Sequence, residues 1–207
     1  YKGVVFNEMK GAMSSTVSTV WHTMCKYLFP ASTYHFNSGG EPDDIPDLSY
    51  EELQAFYQTH YHPSNAIFMT FGNISAIEHQ EKFENQVLSR FEALGKEISV
   101  NNEKRYFAPV SIEEAYAYDA SEEESEEGDA KKSHLVLAWL LGESIDLEQQ
   151  LKAQLLSNVL LGNSASPLLH ALETTDLGQS PSSLCGLEDS NKEMSFMCGL
   201  EGSARED

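Results

Sequence analysis

Apolar positions recur with helical spacing in the first part of the chain. Residues 17–28 carry apolar side chains three and four positions apart, which predicts a helix with one buried face. Phe29-Pro30 ends this helix, because a proline disfavours the helical conformation of the residue before it. The capping-box sequence Ser49-x-x-Glu52 predicts a second helix, which ends before Pro63. The predicted inward faces are Val17, Val20, Trp21, Met24, Tyr27 and Leu28 in the first helix, and Leu53, Phe56 and Tyr57 in the second.

The next apolar segment has the pattern of a strand. Residues 66–72 (Ala-Ile-Phe-Met-Thr-Phe-Gly) are short, mostly apolar and closed by glycine, which predicts a central strand. A second capping box, Ser75-x-x-Glu78, predicts a helix that runs to about Leu94. Its predicted buried side consists of Ile77, Phe83, Val87, Phe91 and Leu94.

After Gly95 the pattern changes to strands. Residues 106–110 and 115–118 are strand-like, and an acidic block separates them from the strongly apolar residues 134–141. A further strand is predicted over residues 194–200.

Two more helices lie between the last two strands. Asp146 is placed to cap the first, which Gly162 closes, with Leu151, Leu155, Val159 and Leu160 on its core face. Ser166-Pro167 opens the second with proline at its first position, and Gly178 stops it. The order of elements predicts an α+β protein in two units, with a boundary near residue 100.

The charge of the chain limits which binding partners are plausible, and its cysteine content indicates the redox state of its compartment. With 13 basic and 33 acidic residues the formal charge is −20, which argues against nucleic acid as a partner. An acidic surface attracts cationic peptides, although the same charge also serves solubility alone. Nine acids between Glu113 and Asp129 predict a solvated loop over about 119–132. The three cysteines include no C-x-x-C pair, which predicts free thiols, and no apolar run has membrane-spanning length.

One acid stands inside an amphipathic segment at the start of the chain. Glu8 lies in the run from Tyr1 to Gly11. A carboxylate can complete a zinc site, but a catalytic zinc takes three protein ligands and a water. None of the seven histidines has the spacing H-x-x-E-H or H-E-x-x-H, so the other ligands of such a site are not encoded here.

Several ordered segments together resemble the pitrilysin or insulinase (M16) metallopeptidases, in particular their presequence-protease branch. They are G-V-V-F-N-E-M-K-G (Gly3 to Gly11), L-F-P-x-x-T-Y (Leu28 to Tyr34), S-G-G-E-P-x-x-I-P-D-L (Ser38 to Leu48), Y-x-x-H-Y-H-P-S-N-A (Tyr57 to Ala66), Gly72-Asn73, N-S-A-S-P-L-L-H-A-L-E (Asn163 to Glu173) and Leu177-Gly178. The resemblance covers nearly the whole chain and is weakest across residues 96–132.

The resemblance implies an α+β, LuxS/MPP-like metallohydrolase fold with parts of two tandem domains. Residues 1–100 match the C-terminal part of the first, catalytic-type domain, and residues 101–207 match a linker and the N-terminal part of the second. Glu8 matches the third zinc ligand. The two histidine ligands and the general-base glutamate of the family lie upstream in an H-x-x-E-H motif, so no catalytic residue is carried over to this chain.

The implied function is that of a zinc metalloendopeptidase fragment. The parent protein would bind Zn²⁺ and hydrolyse short, unstructured, cationic peptides, together with the remaining M16 domains of the same protein. This chain alone would be inactive and would hold no zinc. The resemblance implies an intracellular location, in a bacterial cytoplasm or a mitochondrial matrix. The acidic charge predicts no nucleic-acid partner, and the lack of a long apolar run predicts no membrane partner. The alternative is a non-catalytic peptide-binding or scaffold subunit of the same fold.

Other polar residues have a functional and a structural interpretation. His60 and His62 beside His22 or His35 would form a surrogate metal site, but their spacing favours packing. Ser166 has the position of a helix cap rather than of a nucleophile, since no G-x-S-x-G surrounds it.

For the remaining candidate residues, the sequence leaves two interpretations open or favours packing. Ser38-Gly39-Gly40 is a substrate-channel lining or a plain turn. Asn7 is a partner of the Glu8 ligand or a solvated side chain. Trp21 and Trp139 are predicted to be core residues. His170, at the polar-to-apolar border of its helix, is assigned to packing rather than to a ligand role.

Overall fold

The computed structural model describes residues 2–95, 98–116 and 133–204. It divides into two compact units, one formed by Tyr1–Pro42 with Val100–Asp207 and the other by Asp43–Ser99. No helix within the described ranges is long and apolar enough to cross a bilayer. The acidic block from residue 117 onward, including the predicted loop over about 119–132, lies outside the described residues.

Six helices and four strands form the described part of the fold. The helices are α1 Val4–Ala12, α2 Thr16–Leu28, α3 Tyr50–His60, α4 Ala76–Gln86, α5 Leu147–Leu161 and α6 Pro167–Thr174. The strands are β1 Ser133–Glu143, β2 Ser180–Pro181, β3 Gly186–Glu188 and β4 Glu193–Ser203. Helices on an antiparallel sheet confirm the predicted α+β class.

The long strand β4 is the centre of the larger unit. It pairs antiparallel with β1 on one edge and with β2 and β3 on the other. The buried apolar residues among those described are Cys25, Phe29, Met194, Met197, Cys198 and Leu200, and four of these six belong to β4. The helices α2 and α5 both pack against the sheet. The core of this unit therefore sits on β4.

Local capping signals in the sequence correctly mark where helices begin. Ser49 Oγ accepts from the Glu52 amide at 3.2 Å, and Glu52 Oε2 accepts from the Ser49 amide at 2.8 Å, which completes the capping box of α3. Asp146 Oδ1 accepts from the Gln149 amide at 3.1 Å and caps α5. These bonds satisfy amides that have no partner inside the helix.

Helix ends are predicted less well. The helix α5 ends at Leu161, directly before Gly162, and α2 ends at Leu28, directly before Phe29, as predicted. In contrast α4 ends at Gln86 and not near Leu94, and a short 3₁₀ turn, Leu88–Arg90, follows it. Because a 3₁₀ turn has three residues per turn, it continues an apolar spacing close to that of the helix. The helix α6 ends at Thr174, before Gly178.

Two predicted strands are wrong. Residues 66–72 are irregular, and the side chains of Ile67, Met69 and Phe71 are 97%, 90% and 104% exposed. Residues 106–110 are irregular as well, as are 115–116, whereas 117–118 lie outside the described residues. An apolar extended segment becomes a strand only when a neighbour accepts its backbone hydrogen bonds. No described residue of the unit Asp43–Ser99 forms a strand that could do so.

The predicted inward face of α3 is wrong, and that of α5 is wrong for three of its four residues. Leu53, Phe56 and Tyr57 in α3 are each more than half exposed, and so are Leu151, Leu155 and Val159 in α5. The half-buried positions of α5 are Gln150, Ala153, Ser157, Leu160 and Leu161, so Leu160 is the one residue of the predicted face that is half-buried. This helix carries apolar side chains on nearly all sides, so spacing alone does not select the face that packs.

Candidate functional site

The helix α1 carries Glu8, the predicted zinc ligand. The next residue, Met9, packs this helix against the turn at residues 38–40. A Cβ atom built on Gly39 would lie 2.2 Å from Met9 Sδ, so Met9 occupies the space that only glycine leaves free. Gly40, the next residue, has a φ of +94°, which also favours glycine. The turn at Ser38–Gly40 thereby packs directly on the helix that carries Glu8.

Glu8 itself is exposed on α1. Within the described ranges no hydrogen bond or ion pair reaches its carboxylate, so both oxygens can accept a ligand. The neighbouring Asn7 donates from Nδ2 to the carbonyl of Gly3 at 2.8 Å. This bond ties Asn7 to the first turn of its own helix, and its role beside Glu8 stays a prediction.

The described residues do not make up a zinc site by themselves. No group of three His, Cys, Asp or Glu side chains within residues 2–95, 98–116 and 133–204 is arranged to hold a metal ion. A single exposed carboxylate supplies one of the three protein ligands that a catalytic zinc requires. The assignment of Glu8 as that one ligand therefore stays a prediction about the intact protein.

The histidines proposed as a surrogate metal site are engaged in local contacts. His60 Nδ1 lies 3.0 Å from the Phe56 carbonyl, and the two rings stack at 4.0 Å. His62 Nδ1 accepts from the Ser64 amide at 3.1 Å. His35 Nδ1 lies 3.1 Å from the carbonyl of Lys26. These contacts favour the packing interpretation over a metal site.

The Ser38-Gly39-Gly40 segment has the hydrogen bonds of a turn. The Gly40 amide donates to the Asn37 carbonyl at 3.0 Å, and the Gly39 amide donates to Asn37 Oδ1 at 3.1 Å. The turn interpretation accounts for both glycines, and a role in lining a substrate channel stays a prediction.

Ser166 is a structural residue at the start of α6. It is buried, and its Oγ accepts from the Asn163 amide at 3.3 Å, while its carbonyl accepts from the His170 amide at 2.9 Å. The hydroxyl stabilises the loop before α6 and does not accept from an amide of the helix itself. His170 is exposed on α6, so its predicted packing role is wrong.

An apolar groove lies between α5 and the sheet. It has a volume of about 380 Å³ and is lined by Trp139, Leu141, Leu156, Leu160, Met194 and Phe196, among others. Trp139, predicted to be a core residue, is 47% exposed at this groove, with its ring centroid 6.2 Å from that of Phe196. Trp21 in α2 is half-buried. The sequence predicts the apolar residues of α5 and of the strands, but it does not predict that a groove remains between them.

Two buried carboxylates tie residues 103–105 to the rest of the larger unit. Glu103 accepts from the amides of Ala31 and Lys104, each at 2.9 Å. Glu193 of β4 accepts from the Glu103 amide at 2.6 Å and pairs with Arg105 at 2.8 Å. The sequence does not predict this arrangement, because nothing distinguishes Glu103 and Glu193 from the many solvated acids of the chain.

We expect the Glu103 contacts to make stability depend on acid pH. Burial raises the pKa of Glu103, but hydrogen bonding from Ala31, Lys104 and Ser32 together outweighs it, so the net pKa lies below the usual 4.5. A carboxyl whose pKa is lowered by folding stabilises the protein above pH 4.5, and this stabilisation is lost as the pH falls through the folded-state value.

The variant Glu103→Gln isolates this effect. At neutral pH it should unfold with a free energy lower by about 2 kcal/mol, because a charged acceptor of two amides is replaced by a neutral one. The difference between wild type and variant, measured by urea unfolding, should shrink as the pH falls below 4.5. A difference that is constant over this range would contradict the assignment.

Residues 47–201 match the family described as Peptidase M16 inactive domain. The mitochondrial presequence protease of Danio rerio is 34% identical over all 207 residues, which span 20% of that relative's length. Presequence protease 1, chloroplastic/mitochondrial, of Arabidopsis thaliana is 37% identical over 183 residues, or 86% of this chain and 16% of the relative.

A bacterial relative shows the same coverage. Protein HypA of Clostridium perfringens is 34% identical over 197 residues, which is 95% of this chain and 19% of the relative. The chain thus spans about a fifth of the length of the curated relatives that it matches.

Proposed function

Because the chain belongs to the M16 family of peptidases, we propose that it is part of a zinc-dependent metalloendopeptidase that hydrolyses short, unstructured peptides. The observation that carries the proposal is the similarity to presequence proteases along the whole chain. Glu8, which is exposed on α1, supplies a carboxylate of the kind that such an enzyme uses as a zinc ligand.

In this proposal Glu8 is the third protein ligand of the zinc ion. Its carboxylate contributes negative charge and fixes geometry, and it transfers no proton. The two histidine ligands and the general base belong to an upstream H-x-x-E-H segment of the intact protein. The match of residues 47–201 to an inactive M16 domain supports a non-catalytic role for most of this chain, which alone would be inactive.

Charge supports a preference for basic peptides. The chain carries a formal charge of −20, and an acidic protein attracts cationic ligands and raises their association rate. Basic targeting peptides are therefore the proposed substrate class. The names of the presequence-protease relatives support a mitochondrial location, and the matrix is the proposed compartment. For a bacterial source the proposed location is the cytoplasm.

Metal removal tests the proposed function. The full-length protein should cleave an unstructured basic peptide, lose this activity on treatment with a zinc chelator, and regain it when zinc is added back. Cleavage should be followed by mass spectrometry of the products. Activity that persists in a protein shown by metal analysis to be free of zinc would overturn the proposal.

A second function is favoured by the description of the matched family as inactive. In this alternative the parent protein is a peptide-binding or scaffold subunit that keeps the fold without the zinc ligands. The sequence upstream of Tyr1 distinguishes the two functions: an intact H-x-x-E-H motif supports the enzyme, and its loss supports the scaffold.

A further inference from the structure

Two of the three cysteines lie on neighbouring segments of the sheet. In the pairing of β3 with β4, Gly186 lies opposite Met197 and Leu187 lies opposite Phe196. Cys185 directly precedes β3 and Cys198 directly follows Met197 in β4, so the two cysteines are the next residues beyond the last pair of this register. Both thiols are free, and so is that of Cys25 in α2.

The hydrogen bonds of Gly199 show where the Cys185 thiol lies. The Gly199 amide donates to Cys185 Sγ at 3.3 Å, and the Gly199 carbonyl accepts from the Ser182 amide at 2.9 Å. Both backbone groups of Gly199 therefore point towards residues 182–188. Since these groups alternate along a strand, those of Cys198 point towards β1. Cys185 Sγ also donates to the Gly199 carbonyl at 3.5 Å, so this thiol lies against the backbone of the residue that follows Cys198.

If the antiparallel register continued by one residue, the two cysteines would meet the distance requirement of a disulfide. Cα atoms in non-hydrogen-bonded antiparallel pairs lie about 4.5 Å apart. Disulfides join Cα atoms that are about 4.4 to 6.8 Å apart. Side chains of directly opposed residues also lie on the same face of a sheet. Bridging the two sulfur atoms requires the Cys185 side chain to rotate away from the Gly199 backbone, with which it makes two contacts, and requires no rearrangement of β4.

The two thiols differ in their access to solvent. Cys198 is buried, with 7% of its surface exposed, whereas Cys185 is only half-buried, directly before β3. Burial raises the pKa of both thiols. The thiolate is the nucleophile, so oxidation at neutral pH is slow and needs a reactive oxidant.

We propose that Cys185 and Cys198 form a reversible redox pair that a peroxide converts to a disulfide. The Cys185 thiolate attacks one peroxide oxygen, the O–O bond breaks, and Cys185 becomes a sulfenic acid as hydroxide leaves. The Cys198 thiolate then attacks the Cys185 sulfur and expels a second hydroxide. Both hydroxides take up the thiol protons, so two thiols and one hydrogen peroxide give one disulfide and two waters.

The bridge would fasten the turn at residues 182–185 to the central strand. A dithiol reductant restores both thiols by exchange through a mixed disulfide. Cys25 has no part in this chemistry: it lies in α2, and burial together with the Glu188 carboxylate raises its pKa to about 12. The proposal is independent of the peptidase function, because it concerns only contacts within this chain.

The folded 207-residue chain tests the proposal directly. Hydrogen peroxide should reduce the number of alkylatable thiols from three to one, and a dithiol should restore all three. Peptide mapping under non-reducing conditions should find residues 185 and 198 linked. The control Cys25→Ser should form the same link, while Cys185→Ser and Cys198→Ser should form no intramolecular disulfide.

Peroxide oxidation of the urea-unfolded chain serves as the control. It shows whether the link between Cys185 and Cys198 depends on the folded structure or arises by random pairing. The unfolded chain should give mixed links that include Cys25, and the folded chain should give the single link. The proposal is overturned if the folded chain keeps all three thiols, if Cys25 is part of the link, or if folded and unfolded chains give the same mixture. Circular dichroism of each variant, compared with wild type, establishes that the comparison is made between folded proteins.

Discussion

Glu8→Gln in the intact protein is expected to lower kcat/KM for peptide hydrolysis by more than about 100-fold. Loss of a residue that merely orients a metal ligand reduces metal affinity or activity by about 10- to 100-fold, and loss of the ligand itself should exceed this. Glutamine keeps the size and the helical propensity of the residue but removes the charge that neutralises zinc. The loss corresponds to at least about 2.7 kcal/mol of transition-state stabilisation.

The zinc content of the purified protein must fall together with the activity. Glu81→Gln is the matched control, since Glu81 is also an exposed glutamate within a helix and should leave both quantities unchanged. Full cleavage by Glu8→Gln with zinc still bound would show that Glu8 is not a ligand. Because Glu8 is exposed on α1, this substitution should leave the free energy of unfolding within about 0.5 kcal/mol of wild type.

Features that depend on neighbouring residues in sequence could be predicted. The capping bonds at Ser49 and Asp146 involve partners three residues away, and they form where the sequence places them. The strand β4 is also predictable, because residues 194–200 are a mostly apolar run, interrupted by Ser195 and bounded by polar residues, as is typical of a buried strand. Local hydrogen bonds and apolar runs carry this information without any knowledge of the tertiary fold.

Features that depend on a distant partner could not be predicted. Residues 66–72 have the composition of a central strand, yet Met69 and Phe71 are exposed because no described strand of their unit pairs with them. In α5 the abundance of leucine hides the side that packs on the sheet. The same limit applies to Glu8, whose proposed co-ligands belong to another part of the intact protein.

Gly199→Ala is expected to cause the largest loss of stability of any single change considered in this chain. A Cβ atom at residue 199 would lie 2.0 Å from the Leu135 carbonyl oxygen and 2.9 Å from the Val136 Cα. Both contacts are with backbone atoms, so no side-chain rotation relieves them, and β1 must move away from β4. Overpacking of this kind typically destabilises by up to about 3 kcal/mol, which corresponds to a Tm lower by about 6 to 12 °C.

Gly142→Ala provides the matched control for this prediction. Gly142 lies in β1, on the strand that Gly199 approaches, and a Cβ atom there would meet no atom within 4 Å. Urea unfolding should therefore show a lower midpoint for Gly199→Ala and a nearly unchanged midpoint for Gly142→Ala. Equal midpoints for the two variants would mean that β1 and β4 are not packed as closely as the register of Val136 with Gly199 requires. Since β4 holds most of the buried apolar residues among those described, separation of β1 from it would expose the core of the larger unit.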